Sequence, residues 1–314
     1  MEEKHKVTSA EASALLRQQL GVWPLVAQNF KALEAVHLKQ FEWNGLTVKV
    51  QFNPARIVSS SAKVDAKSLK ERKCFLCAQN RPDVQCGISW GDKYTILINP
   101  FPIFPRHLTI PDDGHVDQLI EGRIADMMSL AQQLDEYTIF YNGPRCGASA
   151  PDHMHFQAGN SDFLTLGEAL EAAELKTVAT DGDSVLAVVD TLPLNVFVID
   201  ADTPEAGQRL FSRLYAAIPV PEGEREPMMN LLCYATAAGV RLVVIPRKRH
   251  RPSFYGTEGE GTMLLSPASV DMGGVFITPL EKDFNALDAD KICQVLDELC
   301  LSNEEINQIA QNIQ

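Results

Sequence analysis

Apolar positions along the chain change period from one stretch to the next, and the changes mark out elements. Between residues 8 and 38, Leu15, Leu16, Leu20, Val26, Phe30 and Leu33 recur at helical spacing behind Ser9, a residue type suited to an N-cap; the pattern predicts a helical N-terminal segment. "QFEWNGLTVKVQF" (40–52) switches to alternation around Asn-Gly, the signature of a two-residue hairpin turn. "YTILINPFPIF" (94–104) and "HLTIPDD" (107–113) read as strands joined by a proline turn. "VDQLIEGRIADMMSLAQQLDE" (116–136) has helical period, and "YTIFYNG" (137–143) is again a strand. Further on, "SVLAVVD" (184–190) and "NVFVIDA" (195–201) are strands, 203–217 is helical, and "MMNLLCYATAAGVRLVVIP" (228–246) is a hairpin. "SVDMGGVFITP" (269–279) reads as a turn before a strand, and 289–313 as a helical tail. Residues 55–73 and "PEGEREP" (221–227) are polar and predict exposed loops.

One segment echoes another. Residues 94–115 align without gaps on 229–250, and both end in Ile-Pro, three residues and His, at His115 and His250. Either these are two unrelated hairpins or the chain is an internally duplicated α+β unit, with an N-terminal half (1–180) and a C-terminal half (181–314). In the second reading only the first half carries the chemistry, because no His-x-His stands in the matching place near Asp288.

Composition narrows the function. The chain of 314 residues offers about two domains' worth of length, with 45% hydrophobic and 22% charged residues, as in ordinary globular proteins. No apolar run approaches the roughly 18 residues of a membrane span. The N-terminus lacks the basic-then-apolar pattern of a secretory signal, so a cytoplasmic protein without a membrane partner is expected. A net charge of −13 disfavours a nucleic acid partner, whereas a small phosphorylated ligand needs only a local basic cluster. Arg81, Arg106, Arg145 and the run "PRKRHRP", with Arg247, Lys248, Arg249 and Arg251, supply candidates; Arg145 and Arg247 are the ones placed at the ligand. Seven cysteines in such a compartment do not suggest a disulfide framework, and Cys86, Cys146, Cys233, Cys293 and Cys300 read as buried apolar residues or bystanders.

Chemistry concentrates in two motifs. In "GASAPDHMHFQAG" (147–159), His153 and His155 stand two apart and would share one face of an extended segment, facing one pocket. Gly147, Ala148 and Ser149 are small enough for close backbone approach to a ligand, and the Gln157 amide is suited to orienting a phosphoryl oxygen. "KCFLCAQN" places Cys74 and Cys77 at the spacing of half a zinc site, with a redox pair or two buried thiols as the other readings.

Together, "KCFLCAQN" and "YNGPRCGASAPDHMHFQ" resemble the galactose-1-phosphate uridylyltransferase and diadenosine tetraphosphate phosphorylase branch of the histidine triad (HIT) superfamily. "DHMHFQA" also looks like the motif of GDP-galactose phosphorylases in that branch. The resemblance covers about residues 74–159. It implies an α+β fold, a HIT-like antiparallel sheet with flanking helices. It implies a nucleotidyltransferase or phosphorylase acting on a nucleoside diphosphate-sugar or a dinucleoside polyphosphate. His155 matches the nucleophile that forms a covalent nucleotidyl-histidine, and Gln157 the glutamine that binds the transferred phosphoryl group. Ser149 matches a phosphate-binding serine and Asn142 an asparagine of the preceding strand. His153 matches a ligand of a structural Zn²⁺ together with Cys74 and Cys77; His115 is the best positional match for the fourth, and His107, its rival, is placed nearer the ligand. The chain departs from the pattern in one extra residue between Ser149 and His153 and in Asp152 where many relatives have proline. A HIT-type nucleotide hydrolase, a non-catalytic nucleotide-binding protein and a zinc-stabilised interaction module are the competing functions. Room remains for a homodimer.

Overall fold

A computed structural model describes residues 6–57, 66–257 and 261–313. Its strands are β1 (His37–Trp43), β2 (Leu46–Phe52), β3 (Gly87–Trp90), β4 (Tyr94–Ile98), β5 (His107–Pro111), β6 (Tyr137–Asn142), β7 (His155–Asn160), β8 (Lys176–Asp181), β9 (Ser184–Val189), β10 (Val196–Ala201), β11 (Met229–Thr236), β12 (Gly239–Pro246) and β13 (Val275–Thr278). Ten of them form one sheet in the order β3-β4-β5-β7-β6-β11-β12-β10-β9-β8, and every neighbouring pair in it is antiparallel. The remaining three make a small sheet, β1-β2-β13, in which β13 runs parallel to β2. The architecture is therefore α+β, as expected.

The large sheet is covered on both faces, and strand alternation explains how. On β11, Leu231 and Cys233 join one core while Leu232 joins the other; on β12, Leu242 and Val244 part in the same way from Val243 and Ile245. The helices Ser9–Val22, Ile124–Gln133 and Pro204–Ala217 cover the first face. The short helix Leu166–Ala172, the helix Ala289–Leu299 and the small sheet cover the second. Residues buried between two layers read as continuous apolar runs, which is why the central strands were legible. The edge strands β3 and β8 carry mostly exposed or half-exposed residues and were not.

Several predicted bounds shift for identifiable reasons. The N-terminal helical stretch divides at Trp23, which is extended (φ −118°, ψ 96°), because Pro24 opens a second helix, Pro24–Ala32; β1 already starts at His37. Thr8, not Ser9, caps the first helix, in a capping box with Glu11. The Asn44-Gly45 turn has positive φ at both residues (45° and 82°), as its hairpin requires. The predicted helix over 116–136 begins only at Ile124, since Gly122 takes φ +72° and Gln118 is drawn into other bonds. The helical tail is two helices, Ala289–Leu299 and Asn303–Gln311. Of the polar stretch 55–73, residues 58–65 lie outside the described residues and Ala66–Glu71 is a short helix. "PEGEREP" is a loop, but Glu226 within it is buried, where it accepts bonds from Tyr141 Oη (2.6 Å) and the Ile120 N–H (2.9 Å). The 180/181 boundary falls inside β8.

Candidate active site

The connection from β6 to β7, residues 143–154, wraps the end of the sheet and presents the motif. Gly147 sits there at φ +99°, and a Cβ on it would lie 2.5 Å from Ala268 Cβ, so no larger residue fits. His155 and Gln157 follow on β7, flanked by β5 and β6: Gln157 is registered between Thr109 and Phe140. Both side chains face a cavity of about 600 Å³, whose walls also include Asn142, Ser149, Phe75, Phe101, Arg56 and Arg251. Its wall combines apolar side chains, Trp23, Leu25, Phe75 and Ile103 among them, with polar ones that include His250, Ser266 and Asp271.

His155 is buried, and its Nδ1–H donates to the carbonyl of His153 at 2.8 Å, which leaves Nε2 as the ring's free nitrogen. Burial pulls its pKa down to about 4, against the His153 carbonyl, so the ring is neutral at pH 7. Gln118 fixes the backbone beneath it. Its Oε1 accepts the His155 N–H at 2.7 Å, and its Nε2 donates to the carbonyls of His155 (3.1 Å) and Asn142 (3.0 Å).

The Gln157 amide has one orientation. His107 Nδ1 accepts the Ile103 N–H at 3.2 Å, so the ring carries its proton on Nε2 and donates it to Gln157 Oε1 at 3.1 Å; Asn99 Nδ2 approaches the same oxygen at 3.4 Å. The Gln157 NH₂ is thereby left to the cavity. His107 does not line that cavity, contrary to the expectation of a ligand contact, because it is buried behind Gln157. Burial, reinforced by Arg56, takes its pKa to about 3 and keeps it neutral.

His153 parts from His155. The two were expected to face one pocket, but strand pairing begins only at His155, and His153 lies in a turn, its N–H bonded to Ala150 O at 3.1 Å. Its Nδ1 lies 3.2 Å from Cys74 Sγ, 3.5 Å from Cys77 Sγ and 3.2 Å from His115 Nδ1, and Cys77 Sγ is 3.2 Å from His115 Nδ1. All four ligand atoms lie within 4.8 Å of one another, a group positioned to hold a metal ion. His153 Nε2 donates to Asp112 O at 2.8 Å, which fixes the tautomer with Nδ1 toward the cluster. Arg72 adds a second tie between the Cys loop and the 143–154 loop, through Asp152 Oδ1 (2.9 Å) and Ser149 O (3.2 Å).

The basic candidates divide. Arg251 lines the cavity, with its Nε donating to Ser266 Oγ at 3.0 Å and its guanidinium 4.1 Å from the Tyr255 ring centre. Arg145 does not: it is exposed, 3.4 Å from Glu224, in a separate cleft with Asp117 and Glu226. Neither does Arg247, which is buried and donates to Asn230 Oδ1 (2.6 Å) and to the carbonyls of Pro267, Arg249 and His250. The cation that sequence reading passed over is Arg56, whose Nη1 donates to Phe101 O at 2.6 Å and whose pKa burial lowers to about 10. Asp271 is buried at the wall; burial raises its carboxyl to about 6, against N–H donors from Ala268 and Ile277. Arg56, Asn99 and Gln118 stand singly in the sequence, with no motif around them, so only the fold reveals them.

No curated protein matches this chain. Residues 15–160 match the family described as Domain of unknown function (DUF4922), and residues 186–314 the one described as GDPGP1-like, C-terminal domain. Among solved structures, the yeast Ap4A phosphorylase Apa2 in complex with AMP is similar at TM-score 0.60 and 17% identity, over 92% of this chain and 97% of that one. Its complex with Ap4A gives TM-score 0.55 and 16% identity, over 89% and 97%. A galT-like protein from Arabidopsis thaliana gives TM-score 0.35 and 14% identity, over 85% and 99%. The chain thus shares the α+β fold of the yeast phosphorylase, and its second half matches the model of a GDPGP1-like C-terminal domain.

Proposed function

We propose that this protein is a nucleotidyltransferase or phosphorylase that passes a nucleoside monophosphate through His155. The observation that carries the reading is a buried, neutral imidazole whose Nδ1 is tied to a carbonyl and whose Nε2 is free at a large cavity, beside an amide NH₂ and a serine. In the first step the Nε2 lone pair attacks the α-phosphorus of a nucleoside diphosphate-sugar or dinucleoside polyphosphate. The P–O bond breaks, and its electron pair leaves on the departing phosphate. In the second, an acceptor phosphate oxygen attacks the same phosphorus, the P–N bond breaks, and the ring returns neutral. Two displacements avoid bringing two anionic substrates together at once. Gln157 and Asn142 donate to phosphoryl oxygens, Ser149 and Arg251 hold the neighbouring phosphate, and apolar side chains of the wall such as Trp23 and Phe75 take the base. The yeast neighbour is described with AMP and with Ap4A, which agrees with a nucleotide as substrate.

The cluster of Cys74, Cys77, His115 and His153 is read as a structural Zn²⁺ site. Bond lengths of about 2.0–2.3 Å in a tetrahedron imply ligand separations of roughly 3.3–3.8 Å; four of the six donor pairs lie at 3.2–3.5 Å and all lie within 4.8 Å. Bound there, the ion cross-links the loop that presents His155 to the loop that carries Phe75. With all four positions filled by protein it takes no part in the reaction. Residues 1–180 are read as the catalytic half and 181–314 as its support, working in the cytoplasm on small nucleotides, without nucleic acid or membrane; sedimentation tests a homodimer.

The direct test is incubation with radiolabelled nucleoside diphosphate-sugars and dinucleoside polyphosphates. The expected outcome is a protein-bound label that is acid-labile and base-stable, with ping-pong kinetics and exchange in the absence of acceptor. Absence of label, with intersecting double-reciprocal lines, would demote His155 to a phosphate ligand. Release of nucleoside monophosphate with water alone would point to the hydrolase instead.

A further inference from the structure

Asn142 lies on the cavity wall with its Oδ1 turned inward to the protein. That oxygen accepts the Ser269 N–H at 2.8 Å and Asn230 Nδ2 at 3.0 Å. A backbone N–H is a donor only, so the atom facing it must be the amide oxygen, and Nδ2 is the atom left to the cavity. Asn230, on β11, is fully buried and has its own orientation fixed at both ends. Its Oδ1 accepts from the Arg247 guanidinium at 2.6 Å, a group that only donates; its Nδ2 faces the Cys146 carbonyl at 2.8 Å, a group that only accepts. The same Nδ2 is 3.2 Å from Ser269 Oγ, which in turn donates to Tyr141 O at 2.6 Å. Arg247 is held by three further carbonyls, so the charge at the head of this chain of bonds does not move.

We infer that Asn230 is a positioning residue of the second half, which, backed by Arg247, locks the Asn142 amide with its NH₂ toward the cavity as a donor for a phosphate oxygen. The inference rests on the nucleotide reading above. Were the amide free to rotate, half of its orientations would turn a carbonyl oxygen toward an anion. The buried guanidinium also polarises the Asn230 amide, which strengthens the bond that Asn230 gives to Asn142. Asn230 thus contributes to the site without lining the cavity.

The test measures affinity for AMP and GMP by calorimetry, and the rate of labelling from a radiolabelled dinucleoside polyphosphate, in Asn230→Ser, Asn142→Ala and the double variant. Asn230→Ser should weaken binding or labelling about tenfold, the scale of one bond to a charged group. In the Asn142→Ala background the same change should cost less than about twofold, because its route to the ligand is already gone. A merely structural Asn230 would lower the melting temperature and act equally in both backgrounds, which overturns the inference. Asn230→Asp, which keeps its pair with Arg247, serves as the second variant where Asn230→Ser is poorly folded. Asn142→Asp, isosteric and held by the same two donors, should lose about tenfold in affinity; wild-type affinity there also overturns it. If the wild type binds neither nucleotide and takes no label, the functional reading itself falls, and this inference with it; binding and labelling by the wild type that Asn230→Ser leaves unchanged removes only the inference.

Discussion

Strands β3–β7 and β8–β12 are laid down in the same order from edge to centre, 3-4-5-7-6 and 8-9-10-12-11, and each set inserts a helix before its fourth strand in sequence. They differ in one connection. In the second set, β11 turns into β12 through Ala237 and Ala238 alone; in the first, β6 reaches β7 through residues 143–154. That longer connection supplies Ser149 to the cavity and His153 to the Cys/His cluster, and it leads into His155. One scaffold yields a tight hairpin or a candidate site according to the loop it is given. The two sets then meet at β6 and β11, where Asn142 is registered opposite Asn230.

The sharpest way to break this contrast is to remove the proposed nucleophile. His155→Ala should lower transfer by roughly 10⁴-fold or more, with the far-UV spectrum and melting temperature near those of the wild type, since the ring faces the cavity and is not a core anchor; a folded variant with full activity ends the covalent reading. Gln157→Ala comes next: loss of one oriented donor should slow both half-reactions about 10²–10³-fold, while acid-labile label still accumulates.

Metal removal probes the loop rather than the chemistry. One zinc per chain is expected by metal analysis, lost in Cys74→Ser, with a melting temperature lowered by roughly 5 °C or more. A metal-free wild-type protein with titratable thiols at Cys74 and Cys77 would sink the site. A smaller effect concerns His107. Its folded pKa is depressed to about 3, so the unfolded chain takes up the proton first as pH falls below about 6.5; the stability that the neutral ring contributes is full above that value and declines as the medium is acidified. By pH 5 the decline is about 2 kcal/mol, and His107→Asn should therefore lose less stability between pH 7 and 5 than the wild type in denaturant titrations. The smallest change is expected from Arg145→Ala, whose side chain is exposed in a different cleft: activity within about twofold of wild type. A large loss there would draw that cleft into the site.

By itself the sequence determined β6, β11 and β12 at the centre of the sheet, because residues buried on both faces of a sheet read as unbroken apolar runs, and the Asn44-Gly45 hairpin, because few residue pairs accept two positive φ values. It also disclosed the motif histidines and the Cys pair, whose spacing is local. The repeat it suggested, 94–115 onto 229–250, joins β4–β5 to β11–β12, strands that hold different places in the sheet order. Tertiary structure alone decided which groups meet. It turned His153 away from His155, set His107 behind Gln157, used Arg247 as a brace, and brought Arg56, Gln118 and Asn230 in from distant segments. Those assignments depend on which buried donor finds which acceptor, a matter of long-range packing that no local pattern of residues encodes.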